Sequence, residues 1–240
     1  MKWNMKALFE FVENKYGKTQ GALLSDALFS LMWKLNIVRY HIDKSKETVS
    51  SLLGKPEEVD PSDIIGLIFE QAAGSEKGKE FFKMQFASEA NLIACAQSLH
   101  SMADILGQAI YITFNLDNAL PKPIDQRRRY LAVINDEMKK GALVPSLTKK
   151  VDELITANEF KYLKDYVNVT KHRSLVPAAY SVSFETESEA SHGLKISAFT
   201  YEDRTYDAKW SNDLLDKDVG YLLEMIVKIG IEMNNLVCIS

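Results

Sequence analysis

The chain is short of the residues that staple a fold covalently. Its two cysteines, Cys95 and Cys238, lie far apart and without CxxC spacing, which argues against a disulfide framework or a zinc knuckle. Cys95 stands among apolar and small residues and is expected to be a buried, reduced thiol. No uncharged run of about 18 or more apolar residues occurs, so no membrane span is expected. The opening "MKWNMKALFEFVENKYG" breaks its apolar residues with charges, unlike a signal peptide. A cytoplasmic protein is the resulting expectation. Positive charge is not in excess either, the net charge being −4. Any contact with nucleic acid would therefore need a local basic patch. There is no glycine-rich phosphate loop, no GxSxG and no DxD-type acidic pair, so kinase, P-loop and hydrolase chemistry lose support. No cofactor and no metal site are expected.

What is present is helical periodicity. From Thr19, residues Leu24, Leu28, Leu31, Leu35, Val38, Ile42, Val49 and Leu52 follow alternating four–three spacing, interrupted only by Ser45. Such a seam belongs to a long helix in a bundle, ended here by Gly54 and Pro56. "GKPEEVDPSD" reads as a loop, with Ser62 or Asp63 capping a short helix to about Ala73. "GSEKGK" reads as another connection. A second long helix is expected from about Lys83 to Leu116, with its seam at Leu92, Cys95, Leu99, Met102, Leu106, Ala109 and Thr113. A weaker helix is expected over Ile124 to Lys140. Another runs from Ser146 toward Leu175, with a break near Ala157–Asn158. Trp33 and Tyr40 are expected to pack.

After Pro177 the period falls to two. Tyr180, Val182 and Phe184 alternate with serines, and Leu194, Ile196 and Ala198 form a second strand. "ESEASHG" is the turn between them, and "YEDRTYDAKW" reads as a further turn and a third strand. Ser211 or Asn212 would cap a final helix. The expected class is mainly α: an antiparallel helical bundle with two long helices and a small antiparallel β insertion near the C-terminus. We expect one domain over 1–240, with an N-terminal helical part at 1–80 and the insertion at 179–210.

One stretch, "DYVNVTKHRSLVP" (165–177), has the look of a site. On a helix, Lys161, Asp165, Asn168 and His172 are spaced four, three and four and form a polar stripe. Leu163, Val167 and Thr170 fall on another side, free to pack. Pro177 requires the helix to end nearby. Lys171, His172 and Arg173 then share its last turn, where the helix dipole favours cations.

"VNVTKHR" on a late helix of such a bundle resembles the HEPN superfamily (higher eukaryote and prokaryote nucleotide-binding domains). The resemblance implies an all-helical, usually dimeric domain, and many members are metal-independent ribonucleases in toxin, antiphage or RNA-processing systems. Their active helix carries an arginine, then a polar residue, then a histidine. Asn168 matches the polar position and His172 the histidine. The arginine should stand at Val167, Tyr166 or Asp165, and none of these is arginine. On this resemblance His172 would handle a proton and Asn168 would orient it. Lys171 or Arg173 would stabilise phosphate charge, because a charged phosphorane needs an ionised donor. The same three residues could instead cap the helix by satisfying its terminal carbonyls.

Two further constellations bear on binding. His100 and Asp104 are one turn apart, with Gln97 and Gln108 extending their stripe. A carboxylate that orients a histidine is a catalytic arrangement and also an ordinary structural hydrogen bond. "DQRRRYL" places Arg127, Arg128 and Arg129 in succession; at about 100° apart they cannot all reach one ligand. They form either a solvated face or an RNA or phosphate contact, helped by Lys149, Lys150, Lys161 and Lys164. The functional expectation is RNA or nucleotide binding by a homodimer. Its catalytic candidates are His172, Asn168, Arg173 and Lys171. Its substrate-binding candidates are Asp165, Lys161, Arg127, Arg128, His100 and Asp104. The alternative is a non-enzymatic module that binds a protein partner.

Overall fold

The computed structural model describes residues 2–53, 59–184 and 192–238. Helix α1 (Met5–Tyr16) starts at Asn4, whose side chain accepts from the Ala7 N–H, and stops at Gly17. Gly17 has φ +91°, a conformation open to glycine at little cost. Helix α2 (Lys18–Leu53) follows directly. Its seam positions Leu24, Leu28, Leu31 and Val38 are buried, and Ser45, which seemed to interrupt the pattern, is buried too. The side chains at 47–53 and the chain at 54–58 lie outside the described residues, and with them Val49, Leu52 and most of the loop. Trp33 and Tyr40 do not pack as expected. They are 59% and 56% exposed, because the seam turns another face of α2 inward. By length and composition Lys18–Lys46 would also suffice to cross a membrane, although that stretch carries this partly buried seam.

Helix α3 (Pro61–Ala72) is capped by Asp60, two or three residues before the expected cap. Pro61 sits at the first helical position, where its missing N–H costs nothing, and this shifts the start upstream. Helix α4 (Glu76–Thr113) begins seven residues earlier than the expected Lys83. The Ser75 hydroxyl accepts from the Gly78 N–H at 3.0 Å and opens the helix inside the supposed connection. Gly78 allows α4 to pass so close to the Glu70 backbone that a Cβ would overlap it. Every expected seam residue of α4, from Leu92 to Thr113, is buried. A left-handed Asn115 (φ +47°) then separates α4 from the short α5 (Leu116–Ala119).

The helix expected over 124–140 is two elements. A 3-10 turn at Gln126–Arg128, set by the Asp125 carboxylate accepting from the Arg127 N–H, precedes α6 (Leu131–Lys140). Helices α7 (Pro145–Thr156) and α8 (Asn158–His172) are separated at Ala157, where the break was expected. Strands β1 (Ala178–Val182), β2 (His192–Ile196) and β5 (Lys209–Trp210) form an antiparallel sheet in the order β1-β2-β5. Strands β3 (Phe199–Tyr201) and β4 (Arg204–Tyr206) form a separate hairpin, where one turn and one strand were expected. Phe184 lies beyond β1 and is 80% exposed; residues 185–191, most of the expected turn, lie outside the described residues. A π-helical turn at Asp213–Asp218 leads into α9 (Val219–Cys238).

Contacts divide the chain into two compact units. The first is Met1–Asn36, Ser98–Lys161 and Gly220–Ser240; the second is Ile37–Gln97 and Tyr162–Val219. In the first, the buried faces of α6 (Leu131, Ile134, Met138), α7 (Leu147, Val151, Leu154) and α9 (Leu222, Ile229, Met233) supply the core. Each such side chain stabilises by about 1.5–3 kcal/mol on leaving water. Asn4 and Asn234 exchange two hydrogen bonds of 2.9 Å, joining the start of α1 to α9. In the second unit Ile64, Leu67, Phe81, Met84 and Tyr180 form a core cluster. The β1 backbone is hydrogen-bonded to α4 through Glu89 and Gln85.

Candidate functional site

The second unit holds the last turns of α8 and the β3–β4 hairpin. Tyr166, Val167 and Leu163 point into the core, each 0–1% exposed. Of the expected polar stripe, Lys161 and Asn168 are half-buried and His172 is exposed. Asp165 is 0% exposed. Its carboxylate accepts from Arg204 Nε at 2.7 Å, Arg204 Nη2 at 3.2 Å and the Tyr206 hydroxyl at 2.6 Å. A bidentate pair of this kind fixes geometry as well as charge. Burial, reinforced by the bond to Asp165, pushes the Tyr206 hydroxyl up to about 12. The hydrogen bonds to Asp165 hold the Arg204 guanidinium above its ordinary value. Asp165 thus anchors the hairpin on α8, which occupies the acceptor oxygens a substrate would need.

Around that anchor lies an aromatic cluster. Phe199 stacks on Tyr206 with centroids 4.8 Å apart, and Tyr162 meets Phe199 and Tyr206 edge-on at 5.4 and 5.3 Å. Edge-to-face pairs of this kind add to area burial alone. Lys209 lies over the Tyr162 ring and is ion-paired with Asp218. The Tyr162 and Tyr166 hydroxyls are buried without a hydrogen-bond partner, and burial raises both above the usual phenol range.

Beyond Asp165, α8 ends in three consecutive exposed residues, Lys171, His172 and Arg173. Among the described residues none of these three side chains donates to a terminal carbonyl. The backbone N–H groups of Arg173 and Ser174 both donate to the Val169 carbonyl, at 2.9 and 3.1 Å, and the Thr170 hydroxyl donates to the Tyr166 carbonyl at 2.7 Å. Main-chain donors therefore take the Val169 carbonyl, and the three basic side chains remain exposed. Arg173 is held with its guanidinium 4.5 Å from the Tyr201 ring centroid. The hairpin thus grips α8 twice, at Asp165 and at Arg173.

Arg204, Tyr206 and Tyr201 escaped the sequence reading. The available signal was Asp165 itself, an acid placed beside Tyr166 and Val167 on a helix that must bury a face.

The remaining candidates lie in the first unit. His100 is half-buried and stacks on Phe160 with centroids 6.3 Å apart; Asp104 is half-buried as well. The arginine triplet divides in two. Arg129 turns inward, its guanidinium 4.0 Å from the Tyr111 ring centroid, donating to the Ile124 carbonyl at 3.0 Å and to Asp117 at 2.9 Å. Arg127 and Arg128 are exposed. Among the described residues no group of three or more His, Cys, Asp or Glu side chains is placed to hold a metal ion. Comparison with family models, curated proteins and solved structures finds no match.

Proposed function

We propose that this chain is a HEPN-like cytoplasmic protein that binds RNA or a nucleotide through the end of α8 and does not cleave it. The observation that carries the reading is the exposed Lys171–His172–Arg173 turn, whose side chains are not spent on capping while main-chain donors close the helix. Three adjacent positive or protonatable groups, one of them braced by Tyr201, make a local basic patch on an acidic protein. Asn168, half-buried one turn upstream, would orient His172 on this reading. Binding is favoured over cleavage because residues 165, 166 and 167, where the resemblance asks for an arginine, are all buried. None of them is positioned to offer an exposed donor to a phosphate.

Fluorescence anisotropy with a single-stranded RNA oligonucleotide tests this. The triple variant K171A/H172A/R173A should weaken binding and reduce the salt dependence of affinity by about two to three units of slope. Unchanged affinity would overturn the reading. Cleavage by the native chain that is lost in His172→Ala would replace binding with ribonuclease activity.

Exposed aromatic faces favour a second reading, an interaction module for a protein partner or a second copy. On α2, Phe29 and Trp33 stack 5.9 Å apart while 64% and 59% exposed. In the second unit Phe82 and Phe86 stack on α4 and are more than half exposed. Large exposed apolar patches on soluble proteins commonly mark contact surfaces.

A further inference from the structure

The segment between α5 and α6 carries more order than its role as a connection requires. Arg129 pins it to the Ile124 carbonyl and to Asp117, and its guanidinium lies over Tyr111. The Tyr111 hydroxyl donates to Asp117 at 2.7 Å and accepts from the Ile124 N–H at 3.3 Å. Gln108 donates to the Arg129 carbonyl at 2.8 Å. Five side-chain bonds and one stack therefore hold the stretch 120–130 in one conformation against α4 and α5. What this frame shapes is a cavity of about 440 Å³ on the first unit, between the 3-10 turn and α6, within the size range of small-molecule sites.

The cavity wall is chemically divided. Pro123, Ile124 and Val133 give it an apolar side. Lys122 and Arg128 give it two exposed cations, and neither side chain makes a hydrogen bond or an ion pair with any described residue. The two acids at its edge are partly engaged: Asp125 accepts from the Arg127 N–H, and Glu137 pairs with Lys140 at 2.6 Å. Each keeps a second carboxylate oxygen as an acceptor. Two unpaired cations beside an apolar wall and hydroxyl-accepting carboxylates call for one kind of occupant. It has a dianionic head, a flat or apolar body and hydroxyl groups.

The geometry points to a binding site for a small organic phosphate of about nucleoside-monophosphate size, with the phosphate held by Arg128 and Lys122 and the body against Ile124 and Val133. The site is independent of the reading given to α8. It also divides the labour of the arginine triplet: Arg129 builds the frame, Arg128 binds, and Arg127 stays on the surface.

Isothermal titration of the full chain with adenosine 5′-monophosphate tests this, with adenosine and inorganic phosphate as separate arms. Saturable binding of the monophosphate is expected, tighter than either fragment. Arg128→Ala and Lys122→Ala should each weaken it by about tenfold or more, the loss of a charge-assisted bond, while Arg127→Ala leaves it within about twofold. Arg128→Ala should leave RNA binding at the end of α8, read by anisotropy, within about twofold, which separates the two sites. Absence of saturation up to about 10 mM overturns the proposal, as does an Arg127→Ala loss equal to that of Arg128→Ala. Inorganic phosphate binding as tightly as the monophosphate overturns the organic body.

Discussion

Replacing Arg204 with methionine keeps most of its length and removes its charge. Asp165 would then remain fully buried with the Tyr206 hydroxyl at 2.6 Å and the Lys164 ammonium at 3.9 Å. Removing one partner of a buried pair typically costs about 3–5 kcal/mol, mostly from the charge left behind. Arg204 is 38% exposed, so solvent screens part of the pair and the cost falls below that range, to about 2–3 kcal/mol. Asp165→Asn should cost less, about 1.5–3 kcal/mol, because the freed guanidinium can reach water. Combining Arg204→Met with Asp165→Asn should cost less than the sum of the two, giving a coupling of about 2 kcal/mol in a double-mutant cycle. Urea denaturation of the four proteins measures this. A cost below about 1 kcal/mol for Arg204→Met, with coupling near zero, would refute the claim that this pair anchors the hairpin.

Two glycines on neighbouring helices should behave oppositely when changed to alanine. At Gly78 a Cβ would overlap the Glu70 backbone, so Gly78→Ala should destabilise by about 1–3 kcal/mol or more. At Gly66, inside α3, a Cβ meets nothing within 4 Å, and Gly66→Ala should stabilise by about 0.5–1 kcal/mol. Thermal melts read both, and equal signs would contradict the packing described. Cys95 is fully buried, and burial pushes its thiol up to about 12 from 9.0. A raised folded value means that its contribution to stability is complete below pH 9 and is lost as pH rises toward 12. Folded protein should therefore leave Cys95 unmodified by iodoacetamide at pH 8.5, whereas urea-unfolded protein reacts. Rapid alkylation in the native state, mapped by mass spectrometry, would show the core at α4 to be open.

Much of the architecture was legible because it rests on local rules. The α4 seam from Leu92 to Thr113 is buried throughout, since period alone decides which face of a long helix turns inward. The break at Ala157 and the end of α8 before Pro177 followed from backbone preferences. Element starts were less legible. Asp60 and Ser75 moved two helices upstream through side-chain bonds that compete with several neighbouring choices. Trp33 and Tyr40 misled because hydrophobicity does not say which of two faces a neighbour covers.

By itself the sequence determined a mainly helical chain with a small late sheet, a reduced buried Cys95, and a basic turn at Lys171–Arg173. Period, composition and proline placement are properties of the chain, and they act before any tertiary contact forms. Only the tertiary structure decided what the polar residues do. It took Asp165 out of the expected binding stripe and gave it to Arg204 and Tyr206, residues some forty positions away. It also split three consecutive arginines between an internal clamp and an outer wall. A buried charge must find its partner wherever the fold brings one, and that choice is made in three dimensions.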